Sequence, residues 1–265
     1  MDLQLAGKRA VVTGASRGIG KAVARRLAAE GCDVVIGARS MGPLQLAAQE
    51  LEAESGQHVH PVVCDTMDDG SVAAFIAEAA TRLGGIDILV NSAARVGGAR
   101  GDVETVDLNE VLLDFEEKVV GYLRCAQRAV PHMKRAGWGR IINISGGSGR
   151  AAGTQISGGS RNSATVNMTK TLANALGPAG VTVNAIYPGG TLTEVNLERA
   201  ESRAVSAGTT VEALLAKEAE ATLIRHLVTA DDVANVVVFL CCPLAIGVTG
   251  EAIAVNGGAS SDVHF

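Results

Sequence analysis

The stretch Thr13-Gly14-Ala15-Ser16-Arg17-Gly18-Ile19-Gly20 lies where a short apolar run ends and an amphipathic pattern of helical period begins. Glycine at 14 permits a turn that a Cβ would strain, and glycines at 18 and 20 let backbone approach a pyrophosphate and the neighbouring strand. A helix opening here directs unpaired N–H groups at anionic oxygens. The order strand, turn, helix makes the stretch a phosphate cradle, with Gly14, Ser16, Arg17, Gly18, Ile19 and Gly20 as candidate dinucleotide contacts.

Charge at the end of the second predicted strand separates two kinds of dinucleotide. An acidic residue there bonds a ribose 2′-hydroxyl and repels a 2′-phosphate. The position is Ala38, followed by Arg39, while Arg17 stands in the glycine turn. Two guanidinium groups can bracket a phosphate, which predicts NADP(H) in preference to NAD(H).

Groups able to move a proton are fewer. The chain has two tyrosines, Tyr122 and Tyr187. Tyr187 ends a predicted strand directly before Pro188 and is the better-placed donor, whereas Tyr122, one turn beyond Lys118 on the same helix face, reads as core packing. Lys118 beside a cleft acts as an electrostatic stabiliser or as an amine of lowered pKa, because burial disfavours its charge. Pairing with Glu116 or Glu117 is the alternative, and leaves it no chemical role. His58 and His60 alternate along a strand without the further ligands a metal needs, so no metal site is expected.

The elements that must position these residues alternate regularly. Strands are predicted at about 9–13, 34–38, 59–64, 88–91, 140–145, 182–187 and 252–256, and helices at about 18–30, 43–54, 71–83, 108–133, 160–176 and 231–240. That rhythm indicates βαβ crossovers, hence one α/β Rossmann-type domain over 1–265, doubly wound, with a seven-stranded parallel sheet and helices on both faces. Residues 191–228 are helical in pattern, polar and Ala-rich, as expected of a flap covering substrate. With 47% apolar residues, net charge −5 and 3% aromatics, the chain lacks the cationic footprint and stacking platforms of a nucleic-acid binder. The N-terminal stretch does not read as a leader and the apolar run near 233–248 is short, so a soluble, cytoplasmic protein without membrane partner is expected. Five cysteines without ligand spacing read as reduced, buried apolar groups.

Together the glycine turn, CDTMDDGSV (64–72), NSAA (91–94), YPGGTLT (187–193) and TGEAIAVNGG (249–258) resemble the short-chain dehydrogenase/reductase family along nearly the whole chain. The resemblance implies an oxidoreductase acting on a carbonyl/alcohol pair and a homotetramer or homodimer. It implies Asp65 at the adenine edge, Asn91 and Ala93 along the dinucleotide, and Pro188, Gly189, Thr191 and Thr193 around nicotinamide. Ser92, Ala94 and Asn256 depart from the family's residues at their positions.

The catalytic positions depart further. No Tyr-x-x-x-Lys occurs, and its slots hold Gly158 and Asn162. The serine slot is Gly146, flanked by Ser145 and Ser148, and the asparagine slot is Lys118, so Lys and Asn look exchanged between Lys118 and Asn162. Lys118, Asn162 and Tyr187 are therefore the candidate catalytic residues. Gly158 and Gly159 each disfavour helix by roughly 1 kcal/mol relative to Ala, which predicts a helix starting at Ser160 with free amides facing the cleft. Two functional readings stay open: an NADP(H) oxidoreductase with a non-standard centre, and a nucleotide-binding subunit or sensor without turnover. A non-redox lyase or isomerase is a third.

Overall fold

Seven runs rich in Val, Ile and Ala pair as parallel neighbours into one sheet. In the computed structural model, which describes residues 2–95, 97–99, 101–150 and 155–259, the strands are β1 (Arg9–Thr13), β2 (Asp33–Ala38), β3 (Val59–Val63), β4 (Ile88–Asn91), β5 (Gly139–Ile144), β6 (Val181–Pro188) and β7 (Ala252–Val255). Their order is β3-β2-β1-β4-β5-β6-β7. Helices α1 (Gly18–Ala29), α2 (Met41–Ser55) and α9 (Ala230–Cys241) cover one face, and α3 (Asp69–Leu83), α5 (Gly121–Ala136) and α6 (Ile156–Leu176) the other. Alternation along β1 shows why both are needed: Ala10 and Val12 pack into one buried cluster and Val11 into the other. A parallel sheet apolar on both sides stays in register only when both are covered.

The chain winds outward in opposite directions from β1 and β4, which are neighbours. Their carboxyl ends frame a crevice at the switch point, the place where such sheets bind ligands. Between Leu192 and Thr229 the chain carries α7 (Glu194–Ala207) and α8 (Val211–Glu220), closed at its base by the bridge Leu192–Thr229 and the bond Leu192 N to Val228 O at 2.7 Å. Thr193, Thr210 and Thr229 cap α7, α8 and α9 with their hydroxyls. Among the described residues no helix is long and apolar enough to cross a membrane.

Two helices differ from expectation. The pattern at 108–133 predicts one continuous helix. Instead α4 (Leu108–Phe115) passes through a π-helical turn, Glu116–Val120, before α5 resumes and runs to Ala136. The extra residue in that turn re-aims side chains, and it carries Glu117 and Lys118 inward. Gly121 follows at a close approach, since a Cβ there would lie 2.9 Å from the Thr66 side chain and 3.0 Å from its carbonyl oxygen.

The second difference is that α6 begins at Ile156, with Gln155 as N-cap, and runs regularly through Gly158 and Gly159. The predicted start at Ser160, with free amides there, is overturned. Tertiary contacts outweigh the glycine penalty: Ser157 hydrogen-bonds the Asp114 carboxylate and Ala99 N, and a Cβ on Gly98 would lie 2.6 Å from Gly158 N. Gly158 is therefore a site of backbone-to-backbone packing.

Candidate active site

The glycine turn joins β1 to α1 at the crevice. Gly14 adopts φ +67°, and a Cβ there would meet the backbone of Ala93 at 2.7 Å. Gly20 lies so close to Gly14 that its Cβ would stand 2.4 Å from the Gly14 carbonyl oxygen. Thr13 completes the seam, accepting from Ser92 N at 3.1 Å and Ala93 N at 3.3 Å. Ser16, Gly18 and Ile19 are half-buried and Arg17 is exposed. The first amide of α1, Gly18 N, donates to the Glu194 carboxylate at 3.0 Å. Helix α7 thus sets its own anion at this helix N-terminus, a position that suits a negative charge.

The remaining predicted dinucleotide contacts are distributed around the turn. Arg39 is exposed, with its guanidinium 4.0 Å from Glu117. No described acidic group pairs with Arg17. Asp65 holds the loop after β3 through Met67 N at 3.0 Å. Pro188 is buried, and Gly189 packs on Asn256, where a Cβ would come within 2.7 Å of the Asn256 Cβ. Thr191 is buried and bonded to the Gly189 carbonyl, and the Thr193 hydroxyl caps α7.

Asn91 lies inside the sheet edge. It is 0% exposed, and its amide donates to Asn143 Oδ1 at 2.9 Å and to the Tyr122 carbonyl at 3.4 Å. These bonds tie the end of β4 to β5 and to the chain at Tyr122.

The π turn brings the exchanged residues into direct contact. Lys118 Nζ donates to Asn162 Oδ1 at 2.7 Å and to the Ser145 carbonyl at 2.8 Å, and Asn162 Nδ2 donates to Ser148 Oγ at 2.9 Å. The glycines at the lost serine slot explain how: a Cβ at Gly146 would stand 2.5 Å from Asn162 Nδ2, and one at Gly149 would stand 3.0 Å from the Asn162 Cβ. The carboxamide occupies the room that the missing side chains leave.

Burial and the neighbouring Arg161 lower the Lys118 amine from its ordinary 10.5 to about 7, against the opposing pull of Glu117 and Asp114. Between about pH 7 and 10.5 the unfolded chain keeps a proton that the folded chain has released, so this amine makes stability rise with pH across that window. Denaturant titrations at several pH values in the window should show wild type gaining on Lys118→Met as pH rises. Parallel curves would reject the assignment.

The two tyrosines separate. Tyr122 is buried; its hydroxyl donates to the Ile144 carbonyl at 3.1 Å, and desolvation pushes its pKa up. It is core, as its spacing suggests. Tyr187 is 4% exposed, on the α6 side of β6, with the Arg150 guanidinium 4.3 Å above its ring. No described hydrogen bond joins it to Lys118 or Asn162.

The group that anchors the head of α6 carries no signal in the linear sequence. Asp114, 3% exposed, accepts from Arg161 Nη1 at 2.9 Å, from Ala99 N at 3.0 Å and from the Ser157 hydroxyl. Arg161, equally buried, holds the Arg95 carbonyl at 2.9 Å and the Gly97 carbonyl. A Cβ on Gly158 would lie 2.7 Å from Gln155 Oε1. The segment after β4 is thus pinned over the head of α6 where a larger residue at 158 would have to pass. Among the described residues no three His, Cys, Asp or Glu side chains form a metal-binding group.

A family profile described as enoyl-(acyl carrier protein) reductase matches residues 14–260. The 3-oxoacyl-[acyl-carrier-protein] reductase FabG of Aquifex aeolicus is 34% identical over 263 residues, 97% of this chain and 99% of that protein. The short-chain reductase protein NovJ of Streptomyces niveus is 35% identical over 253 residues, 94% and 92% of the two chains. Among solved structures, L-sorbose reductase from Gluconobacter frateurii, complexed with NADPH and L-sorbose, superposes with a TM-score of 0.94 at 30% identity over 99% of this chain and 100% of that one.

Proposed function

This chain belongs to the short-chain dehydrogenase/reductase family, and from that premise we propose that it is an NADP(H)-dependent oxidoreductase acting on a carbonyl/alcohol pair through a rearranged catalytic centre. The observation carrying the reading is the Lys118–Asn162 contact of 2.7 Å, set at the carboxyl edge of the sheet beside an intact glycine turn. A buried amine held by directed hydrogen bonds beside a cleft is the kind of group that such sites use in catalysis.

The residues present fit the dinucleotide. The positive φ of Gly14 and Gly18 and the close packing of Gly20 present the first turn of α1 to Thr193 and to the Glu194 carboxylate, whose place a phosphate oxygen would take. Gly14, Ser16, Arg17, Gly18, Ile19 and Gly20 would hold the pyrophosphate, Asp65 and Ala93 the adenosine half, and Pro188, Gly189, Thr191 and Thr193 the nicotinamide half. When bound, the reduced dinucleotide supplies hydride to a carbonyl carbon. The chain's own residues orient the carbonyl, exclude water under residues 191–228 and provide a proton to the oxygen. Tyr187, beneath Arg150, is a candidate for that last role, and Lys118 and Asn162 polarise the site. Solved relatives support the choice of cofactor, since L-sorbose reductase binds NADPH. The small-molecule carbonyl and the homo-oligomeric state, a tetramer or dimer, are part of the same proposal.

Cofactor choice is testable without a substrate. Ala38 brings no acid to the end of β2, and the exposed Arg17 and Arg39, the latter 4.0 Å from the Glu117 carboxylate, lie where a 2′-phosphate would be met. A charge-assisted hydrogen bond contributes about 1.5–3 kcal/mol, so Arg39→Ala should weaken NADPH binding roughly 10–100-fold and leave NADH binding nearly unchanged. Fluorescence titration measures both constants. Equal losses for the two dinucleotides would contradict recognition of a 2′-phosphate by Arg39.

A further inference from the structure

We infer that Ser148 is the proton donor of this centre, in place of the absent tyrosine. The inference rests on the carbonyl-reductase reading above and names the residue that completes it.

Hydroxyls near the Lys118–Asn162 pair are mostly engaged as donors. Ser145 Oγ donates to the Asn162 carbonyl, Ser157 to Asp114, Ser163 to the Gly149 carbonyl, and Tyr122 to the Ile144 carbonyl. Ser148 differs. Its oxygen accepts from Asn162 Nδ2 at 2.9 Å, and the described residues offer its hydrogen no acceptor. It is exposed at the carboxyl edge of the sheet, in the turn Gly147–Gly149, next to the residue whose Cβ would stand 3.6 Å from the Pro188 carbonyl oxygen. Tyr187 also lacks a described acceptor, but it is buried under Arg150 and unconnected to the amine.

The three residues form a chain in which each orients the next. Lys118 donates to Asn162 Oδ1, which polarises the carboxamide and strengthens its Nδ2–H as a donor to Ser148 Oγ. Gly146 and Gly149 are the conditions for that geometry, because side chains at either position would meet Asn162. Glycine at 146 and the engagement of Ser148 by Asn162 therefore go together.

The balance is simple. A carbonyl carbon that has received hydride leaves a negative charge on its oxygen. That oxygen takes the Ser148 proton: the Ser148 O–H bond breaks and the product O–H bond forms. The serine oxygen, held by the Asn162 N–H, then takes a proton from the solvent to which it is open. Donor and product are both alkyl alcohols of similar acidity, so transfer from serine to the alkoxide is not uphill.

The test uses the intact chain with NADPH and two probes, the N-acetylcysteamine thioester of acetoacetate and L-sorbose. With whichever probe the wild type reduces, Ser148→Ala should lower kcat about 10²–10⁴-fold while the NADPH dissociation constant stays as in wild type. Ser148→Thr, which keeps a hydroxyl at the same exposed position, should regain most of the rate. A purely structural serine would not give that pairing of lost kcat, intact cofactor binding and hydroxyl rescue. Wild-type kcat in Ser148→Ala, or failure of threonine to rescue, overturns the assignment, as does a large loss in Tyr187→Phe beside an active Ser148→Ala. A wild type that binds NADPH but reduces neither probe overturns the carbonyl-reductase reading itself, and Ser148's role with it.

Discussion

Gly14→Ala should abolish useful dinucleotide binding. A Cβ at position 14 would lie 2.7 Å from both the Cα and N of Ala93 and 2.8 Å from the carbonyl carbon of Ser92, all of them backbone atoms. It would also hold an alanine at φ +67°, which costs about 1–2 kcal/mol, and overpacking adds about 1–3 kcal/mol. The cradle and the loop after β4 must then part, and both are needed for one ligand. We expect NADPH affinity to fall by at least about 100-fold, the equivalent of some 2.7 kcal/mol, and the melting temperature to drop. Gly7→Ala is the matched control. Gly7 has φ +73°, yet a Cβ there meets nothing within 4 Å, so it should lose a little stability and no affinity. Calorimetric titration of both variants decides the matter; equal affinities would mean that the Gly14 seam does not shape the site.

Asp114→Ala should be the most damaging single change outside the glycine turn. It removes the carboxylate that answers Arg161, Ala99 N and the Ser157 hydroxyl at once. Arg161 is 3% exposed and its Nε already lacks a partner. Leaving such a cation uncompensated costs about 3–5 kcal/mol, or roughly 10 °C of melting temperature for a chain of this size. The pair also ties residues 97–99 to α6, so exchange protection should fall at Ala99 and at the head of α6 before it falls elsewhere. Asp114→Asn keeps the shape and one acceptor and should lose less. A melting temperature unchanged in the alanine variant would show that water reaches Arg161.

Local signals suffice for some of this architecture and not for the rest. The turn from Thr13 to Gly20 is legible because its glycines act within one strand-turn-helix unit, whatever the remote chain does. The alternating strands are legible for the same reason: each carries its own apolar run. The approach of Lys118 to Asn162 is foreshadowed by two residues occupying each other's family positions.

What escapes is tertiary. Nothing in Glu116–Val120 announces a π turn, because the insertion is stabilised by Thr66 packing on Gly121 and by Glu117 receiving Arg95 N at 2.8 Å. The start of α6 is misplaced for a similar reason. Helix propensity weighs Gly158 and Gly159 by their own conformational freedom, whereas contacts remote in sequence decide the outcome: Asp114 is 43 residues from the Ser157 it holds, and Gly98 packs on Gly158. Asn91 reads as a ligand contact by position, and its bonds to Asn143 and Tyr122 carry no signal in the linear chain. Ser148, a mere flank of a vacated slot in the linear chain, gains its meaning from Asn162 alone.

The claim that everything else depends on is turnover by a centre without tyrosine. Its most direct test is the loss of reduced-nicotinamide absorbance when purified protein and NADPH meet 3-oxoacyl thioesters and ketoses. We predict carbonyl-dependent consumption of NADPH in wild type that Lys118→Met largely removes. Tight NADPH binding with no consumption, whatever the carbonyl offered, would contradict it and leave a nucleotide-binding subunit.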